Sequence, residues 1–244
     1  MGSRKIVDMT GHEFDLCDRR TALLTIGSIE RHGNHLPLGT DSIIPQHIVD
    51  KASAKLNCIV LPPVFYGSCK TMRGFPGTFD MSSEIFNKYL QNIMMEADRN
   101  GVKLLCIVNG HGGNSTTIAM AAKEVSTDCN LAVLVIDWWK ELGLEEAAKF
   151  TSPGHAGEVE TSAMLAISPE DVLMEFAISH EVTYPRFKLY SKEIDHRIYS
   201  SALTGDAKRA TREKGEALIN AAISDLVDMV REAQAMLFQP KSHE

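Results

Sequence analysis

The sequence predicts an α/β fold in which a mainly parallel sheet carries helices on both faces. Short runs rich in Val, Ile and Leu alternate along the chain with longer runs of helical spacing. This alternation is typical of consecutive β-α-β units. The short runs are nearly continuous in apolar residues, as expected for strands that are covered on both faces.

The expected strands and helices follow one another in chain order. Buried strands are expected where the β-branched runs lie, at 21–28, 57–64, 103–110 and 131–139. Helical apolar spacing predicts helices at 42–56, 82–101, 114–128, 157–167 and 205–237. Ser82 offers an N-cap and Gly101 a C-cap to the second of these helices. Gly215 marks a point where the last helix could be interrupted.

The chain is expected to form one domain, residues 1–244. It has 44% hydrophobic and 23% charged residues, which is ordinary for a globular domain with a sizeable core. The segment 168–204 contains Pro169 and Pro185 and is mixed in polarity. We interpret it as an excursion or an oligomer contact, because no linker separates it from the rest.

Composition excludes several classes of partner. The formal net charge is −7, and nucleic acids and anionic membranes are bound by basic surfaces. No apolar run reaches the ~20 residues that span a bilayer. The five cysteines include no CxxC pair, which favours a reducing compartment. The opening "MGSRKIVDMT" has no apolar core of a secretion signal. We therefore expect a cytoplasmic protein without nucleic-acid or membrane partners.

Three polar clusters lie where ligand sites of parallel sheets gather, beyond the carboxyl ends of strands. "GSIERHGNHLPLGTD" spans 27–41 and follows the first strand. "NGHGGNS" spans 109–115 and follows the third strand. "PGHAGEVETS" spans 153–162 and enters a helix. We expect all three clusters to lie at the same edge of the sheet, and together they indicate a ligand site more strongly than any one of them alone.

The first cluster offers one histidine and two carboxylates. Glu30 and His32 are two residues apart, so in an extended segment both side chains point to the same side. With Asp41 they form a sound ligand set for zinc, manganese or iron. The alternative is a polar loop in which Asp41 caps the following helix. His35 could be a ligand or a surface residue.

The other two clusters could complete a metal site. His111 stands among glycines that allow close backbone approach, although a tight turn with a solvent-facing histidine is an alternative. His155, Glu158 and Glu160 begin a helix, where carboxylates are also favoured by the helix dipole. Glu158 and Glu160 diverge by roughly 200° around a helix, so only one of them is expected to bind a metal directly. If Asp41 bridges two ions, hydrolysis of an unactivated C–N bond is the expected chemistry.

Four motifs together resemble those of the creatininase (creatinine amidohydrolase) superfamily. They are "GSIERHGNHLPLGTD", "FPGTFDMS", "NGHGGNS" and "HAGEVETSAML". The terminal "GDAKRATREKGEAL" also resembles the last helix of that family. The resemblance implies a three-layer α/β/α sandwich, two divalent ions (Zn, Mn or Fe) per chain and hydrolysis of cyclic or linear amides. It also implies a small-molecule substrate and a homo-oligomer, often a hexamer.

The resemblance also implies roles for individual residues. Glu30, His32, Asp41 and His111 match metal ligands, with Asp41 as the bridging ligand. His155 matches the histidine that moves protons at the substrate.

The chain departs from creatininase proper in two places. Where that enzyme has a glutamate ligand, two residues after the histidine of "NGH", this chain has Gly113, as in the NGHGGN members. We expect Glu158 to complete the metal site, and Glu160, the second choice as ligand, to act in catalysis.

The second departure is the substrate loop "YGSCKTMRGFPGT". Cys69, Thr71 and Met72 stand where many members have a serine and a histidine. Ser68 could substitute in substrate binding, together with the backbone of Gly112 and Gly113.

The NGHGGN members include archaeal formamide hydrolases, so the leading function is deformylation of a formylamino-pyrimidine ribonucleotide. Lys70 and Arg73 would suit a phosphorylated substrate, unless both are solvated loop charges. A creatinine or lactam amidohydrolase and a peptidase-like enzyme are alternatives. From a different class, a non-catalytic protein that binds a metal or nucleotide is a further alternative.

Overall fold

A five-stranded parallel sheet lies at the centre of the protein. The computed structural model describes residues 4–187 and 189–238, so the two ends of the expected 1–244 domain, including the first residues of "MGSRKIVDMT", lie outside the described residues. The strand order is β1-β3-β2-β4-β5. The strands of this sheet are β1 Arg4–Lys5, β2 Thr21–Ile26, β3 Ile59–Val60, β4 Leu104–Asn109 and β5 Ala132–Asp137.

Helices cover both faces of the sheet, which confirms the α/β prediction. They are α1 Gly11–Leu16, α2 Thr40–Ser53, α3 Ser83–Arg99, α4 Ser115–Asp128, α5 Trp138–Glu141, α6 Leu144–Ala147, α7 Glu158–Ile167, α8 Lys192–Ile198 and α9 Arg212–Phe238. Leu23 and Cys106 face a core shared with α2, α7 and α9. Their neighbours Leu24 and Leu105 face a second core shared with α3 and α4. Successive strand residues point to opposite faces, so the sheet becomes the middle of three layers.

The expected strand at 57–64 is much shorter in the structure. Only Ile59–Val60 pairs regularly, between β1 and β2. Pro62 and Pro63 follow after Leu61 and have no N–H to donate to a ladder. Pairing resumes only as a single bridge between Val64 and Ile26.

The expected helix at 205–237 begins later and runs without a break. Gly205–Asp206 forms β7, which pairs with β6 (Ser179–His180) in a separate two-stranded antiparallel sheet. Helix α9 starts at Arg212 and passes through Gly215 without interruption. A Cβ at Gly215 would lie 1.8 Å from the Ser162 carbonyl oxygen. The glycine therefore allows α9 to pack closely against α7.

No helix within residues 4–187 and 189–238 has the length and apolar character needed to cross a bilayer.

The parallel register brings the carboxyl ends of the central strands to one level. Ile26 pairs with Asn109, and Asn109 pairs with Asp137. The loops after β2 and β4 therefore leave the sheet at the same edge, as the sequence predicts. The excursion between α7 and α9 also reaches this edge, where the Leu173 N–H donates to the His35 carbonyl at 2.9 Å.

Candidate metal centre

Six of the predicted site residues meet beyond this edge of the sheet. Their imidazole and carboxylate groups form overlapping groups in which the ligand atoms lie within 4.8 Å of one another. All six side chains are buried or largely buried. The six are Glu30, His32, Asp41, His111, His155 and Glu160.

Asp41 lies at the centre of the cluster. It is the second residue of α2, and the N-cap of that helix is Gly39. One carboxylate oxygen is 3.1 Å from Nε2 of His32, and the other is 2.9 Å from Nδ1 of His111. The second oxygen also accepts a hydrogen bond of 2.7 Å from the Ser28 hydroxyl. The carboxylate therefore faces two separate sets of donor groups.

Backbone carbonyls orient all three histidine rings. His32 Nδ1 lies 3.1 Å from the Glu30 carbonyl, His111 Nε2 lies 2.9 Å from the Ser68 carbonyl, and His155 Nε2 lies 2.9 Å from the Arg31 carbonyl. A carbonyl only accepts, so each of these ring nitrogens carries the proton. The other nitrogen of each ring faces the cluster, and once its proton has left it can bind a metal, as in metal-binding histidines.

Two glycines of "NGHGGN" allow the loop after β4 to approach its neighbours. A Cβ at Gly110 would lie 1.8 Å from the Asp41 carbonyl oxygen, and a Cβ at Gly113 would lie 2.1 Å from the Ser68 carbonyl oxygen. Any side chain at either position would push the loop away from α2 or from the substrate loop. These glycines therefore bring His111 against Asp41.

Burial and mutual charge shift the ionisation of the cluster strongly. Burial raises the pKa of Glu30 and of Glu160 to about 7. Burial alone would lower the pKa of His32, but the Asp41 carboxylate outweighs it and raises that pKa to about 10. Burial likewise opposes the charged form of His111, yet Glu30 and Asp41 raise its pKa well above the ordinary value. The carboxylates thus create a site that attracts positive charge.

The donor set fits a divalent cation. Oε2 of Glu30 has no hydrogen-bond partner within the described part of the chain, although Glu30 is only 1% exposed. A buried carboxylate oxygen without a partner costs free energy unless a cation or donor satisfies it. Imidazole and carboxylate are the ligands that zinc, manganese and iron accept.

The two glutamates of "HAGEVETS" exchange the places that the sequence assigns to them. Glu158, the expected ligand, points away from the cluster. One of its oxygens accepts hydrogen bonds of 2.9 Å from the backbone N–H groups of Thr151 and Ser152, and the other is 2.6 Å from Nζ of Lys214.

Glu160 instead reaches the cluster, where one carboxylate oxygen lies 3.8 Å from Nε2 of His32. The helix begins at Glu158, so residues two apart diverge around its axis. Of the two glutamates, Glu160 is the one that faces the cluster in the structure.

His155 borders the cluster on its open side. Its ring centroid is 4.3 Å from that of His32, and its Nδ1 is 3.6 Å from a Glu30 carboxylate oxygen. Burial, followed by the charge of His32, lowers the pKa of His155 to about 3. The ring is therefore neutral near pH 7.

A cavity of about 700 Å³ opens onto the cluster. Ser68, Gly112 and Gly113, which the sequence predicts as substrate-binding residues, all line it. The Ser68 hydroxyl lies 3.4 Å from the Ser83 hydroxyl, and the Ser68 carbonyl holds His111. Further lining residues are Cys69, Thr71, Met72, Trp139, Pro153, Gly154, Val159 and Tyr199.

Two charged residues and one histidine of the sequence interpretation lie outside this site. Lys70 and Arg73 do not line the cavity; Arg73 borders a separate surface groove beside Tyr66. His35 is buried and lies 2.9 Å from the Thr161 hydroxyl, away from the ligand groups.

The sequence interpretation missed the residues that support the ligands. Asn114 lies between two loops, because its amide donates to the Gly27 carbonyl and accepts from the Ser68 N–H, both at 2.9 Å. Asn109 accepts from the His111 N–H at 3.1 Å. Both asparagines belong to "NGHGGN", so the motif itself was a signal that each has a positional role.

The sequence of this chain is similar to a family model and to several known enzymes. A family model described as creatininase, creatinine amidohydrolase, matches residues 7–230. Creatinine amidohydrolase of Pseudomonas putida is 26% identical over 230 residues, which cover 86% of this chain and 88% of that protein. Mycofactocin precursor peptide peptidase of Mycolicibacterium smegmatis is 30% identical over 224 residues, which cover 87% of this chain and 85% of that protein.

A shorter match involves a formamide hydrolase. The 2-amino-5-formylamino-6-ribosylaminopyrimidin-4(3H)-one 5'-monophosphate deformylase of Methanococcus maripaludis is 30% identical over 125 residues. These residues cover 49% of this chain and 54% of that protein.

Solved structures share the fold over nearly the whole chain. One described as "Creatininase Mn" has a TM-score of 0.85 at 23% identity and covers 95% of this chain and 98% of its own. A mutant creatininase of "Zn-Zn type" has a TM-score of 0.82 at 23% identity and covers 96% of this chain and 99% of its own. These likenesses confirm the three-layer α/β/α architecture.

Proposed function

Because this chain belongs to the creatininase family of metal-dependent amidohydrolases, we propose that it hydrolyses the C–N bond of a small formamide or cyclic amide at a two-metal centre. The position of Asp41 is the observation that carries the proposal. Its two carboxylate oxygens face His32 and His111 separately, at 3.1 and 2.9 Å. A carboxylate so placed can bridge two ions, and a pair of ions is the usual device for hydrolysing unactivated bonds.

The proposed ligands fall into two sets that share Asp41. The first set adds Glu30 and His111, and the second adds His32 and Glu160. Divalent ions held by these sets would supply Lewis acidity toward the amide carbonyl and lower the pKa of a water between them. Glu160 takes the ligand role that the sequence assigns to Glu158, because only Glu160 faces His32.

His155 is proposed to move the proton between the water and the leaving nitrogen. Its Nδ1 faces Glu30 at the border of the cavity, while its Nε2–H is held by the Arg31 carbonyl. A neutral imidazole fixed in this way can take a proton from the attacking water and return it to the nitrogen as the C–N bond breaks. Gly112 and Gly113 line the same cavity, and their backbone N–H groups are proposed to contact the carbonyl oxygen.

The lining of the cavity favours a substrate without a phosphate group. The described residues that line it include no lysine or arginine. Phosphate recognition relies on cationic side chains. Lys70 and Arg73, which would favour a ribonucleotide, lie outside the lining. An uncharged formamide or lactam therefore ranks above the phosphorylated pyrimidine as the proposed substrate.

Replacing Asp41 tests the two-metal centre. Asp41→Asn keeps the size of the side chain but removes the charge that both sets share. We expect the variant to retain less than one ion per chain, measured by atomic emission after reconstitution with Zn²⁺ or Mn²⁺. We expect its kcat/KM to fall by more than ~100-fold, since even residues that only support ligands typically cost 10–100-fold in affinity or activity. Asp50→Asn on the outer part of the same helix is the matched control. Full metal content in Asp41→Asn would refute the bridging role.

A substrate panel tests the kind of amide. The reconstituted protein is offered N-formyl heterocycles, lactams including creatinine, short peptides and formylamino-pyrimidines with and without a 5'-phosphate. We expect turnover of unphosphorylated formamides or lactams, and formate release distinguishes the two. Preference for the phosphorylated pyrimidine would instead support deformylation of a ribonucleotide. Cleavage of peptides alone would support a peptidase function. Absence of turnover with full metal content would favour a binding protein.

A further inference from the structure

Cys69 contributes a sulfur atom to one side of the proposed metal centre. Its Sγ and the ligand atoms of Glu30 and His111 all lie within 4.8 Å of one another. Cys69 is 1% exposed. The sequence assigns it only to the substrate loop, at a place where many family members have other polar residues.

The loop around the thiol is fixed on both sides. The Cys69 N–H donates to the Asp80 carboxylate at 2.8 Å, and the Ser68 N–H donates to the Asn114 side chain at 2.9 Å. The Ser68 carbonyl accepts from the His111 ring at 2.9 Å. The sulfur lies 3.7 Å from the Gly67 carbonyl oxygen. The backbone therefore holds the thiol beside His111 and Glu30.

A second observation points to a cation at the same place. Glu30 shares the group with Cys69 and His111, and its Oε2 has no partner among residues 4–187 and 189–238. This oxygen belongs to a side chain that is almost fully buried. A buried carboxylate with an unpartnered oxygen, a thiol and an imidazole together form a donor set that suits a common ion.

We propose that the Cys69 thiolate is a protein ligand to the ion held by Glu30, Asp41 and His111. This proposal rests on the two-metal centre proposed above. It gives the two halves of that centre different numbers of protein ligands. The first half then has four protein donors, as closed zinc sites have. The second half, His32, Asp41 and Glu160, has three and keeps an open position for water and substrate.

Ligation by Cys69 would also select the metal. When the ion binds, the S–H bond breaks, a sulfur–metal bond forms and the proton leaves to solvent; no electron is transferred. Thiolate is a soft ligand that favours zinc over manganese, whereas oxygen ligands suit manganese. We therefore expect the first half to prefer zinc and the second half to tolerate either ion.

Cobalt substitution tests the proposal on the intact protein. Co²⁺ bound to a thiolate shows a sulfur-to-metal charge-transfer band in the near ultraviolet, besides the visible bands that any protein ligand set gives. We expect both kinds of band in the unaltered chain and in Cys129→Ser, the control at a half-buried cysteine outside the cluster. Cys69→Ser should keep the visible bands and lose the near-ultraviolet band. It should also lose at least ~10-fold in zinc affinity relative to manganese, the lower end of what disturbing even a supporting group costs.

The outcomes separate this proposal from the proposed function. Visible bands without the near-ultraviolet band in the unaltered chain would overturn the role of Cys69 and leave the two-metal centre standing. A near-ultraviolet band that persists in Cys69→Ser would overturn it as well. No cobalt bands in the unaltered chain would overturn both. Because the unaltered chain gives the decisive spectrum, the test does not depend on whether Cys69→Ser folds.

Discussion

At the scale of single residues, an aspartate at the start of a helix can either stabilise the helix or bind a ligand. Asp41 stands at the start of a helix, where an aspartate is common as a cap or as a partner of the helix dipole. The N-cap of this helix is nevertheless Gly39, and the Asp41 side chain contacts two histidines. The two histidines hold the pKa of the Asp41 carboxyl well below its usual range, although burial opposes them. The residues alone leave both roles open, and it is the resemblance to the creatininase family that favours the role as a metal ligand.

Glu158 and Glu160 provide the sharpest prediction at this scale. Glu160→Gln should lose the ion of the second ligand set, because its carboxylate faces His32. Glu158→Gln should keep full metal content but lose about 1–3 kcal/mol in the free energy of unfolding, as expected when a charged hydrogen-bond acceptor is removed. Metal analysis and urea unfolding of both variants give the comparison. Metal loss in Glu158→Gln alone would reverse the assignment.

The pH dependence of stability should also distinguish Glu158. Burial raises its pKa, but the Lys214 ammonium and the N–H groups of Ser152 and Thr151 outweigh burial and hold the pKa below the ordinary 4.5. The ionised carboxylate therefore contributes stability above pH 4.5, and this contribution is lost as pH falls through the folded-state pKa.

The difference in unfolding free energy between the unaltered chain and Glu158→Gln should thus be constant near neutral pH and shrink below about pH 4.5. Titrations of the metal cluster are common to both proteins and cancel in the difference. A difference in unfolding free energy that grows as the pH falls would contradict this account.

The sequence predicts the parts of the site that depend on type and order of residues. Glu30, His32, Asp41 and His111 could be chosen because strand ends place them at one edge. The choice of Glu160 over Glu158 depends on where α7 begins and on Lys214, more than fifty residues later in the chain. The proximity of Cys69 to His111 depends on Asn114 and Asp80 holding the substrate loop. Such tertiary contacts leave no local pattern in the sequence.

At the scale of elements, the sequence predicts the long helices better than their ends. The periodic runs that form α2, α3 and α4 lie where expected, because each has a continuous apolar face to bury. The run 57–64 loses most of its hydrogen-bond ladder to two prolines. Gly205–Asp206 joins a small antiparallel sheet, and Ala207–Arg209 forms a 3-10 turn before α9 begins. Both differences arise where backbone hydrogen bonding, not apolar spacing, decides the structure.

Gly215 gives a prediction at the element scale. Gly215→Ala would improve helix propensity by ~1 kcal/mol. Its Cβ would nevertheless lie 1.8 Å from the Ser162 carbonyl oxygen, so α7 and α9 would have to separate. We expect a net loss of about 1–3 kcal/mol in stability, typical of overpacking. Gly11→Ala is the control, because a Cβ there meets nothing within 4 Å and should cost almost nothing. Equal stability of the two variants in urea unfolding would show that the α7–α9 contact is not tight.

At the scale of the whole molecule, the site joins loops from distant parts of the chain. Glu30, His32 and Asp41 come after β2, His111 after β4, and His155 and Glu160 from the entry to α7. None of these loops alone supplies a complete ligand set. A cation that binds them together must therefore stabilise the fold itself, because the ligand set does not exist in the unfolded chain.

Metal binding should accordingly raise the thermal midpoint of unfolding. An ion present at 100 times its dissociation constant adds ~2.7 kcal/mol to stability, and for a chain of 150–250 residues each kcal/mol shifts Tm by roughly 2–4 °C. We expect chelation to lower Tm by roughly 5–10 °C and added Zn²⁺ or Mn²⁺ to restore it, measured by differential scanning calorimetry. Asp41→Asn should show little response to either treatment, since both ligand sets depend on that carboxylate, whereas Asp50→Asn should respond fully. A Tm unaffected by chelation in a protein shown to have lost its metal would mean that the three loops are held by the protein alone.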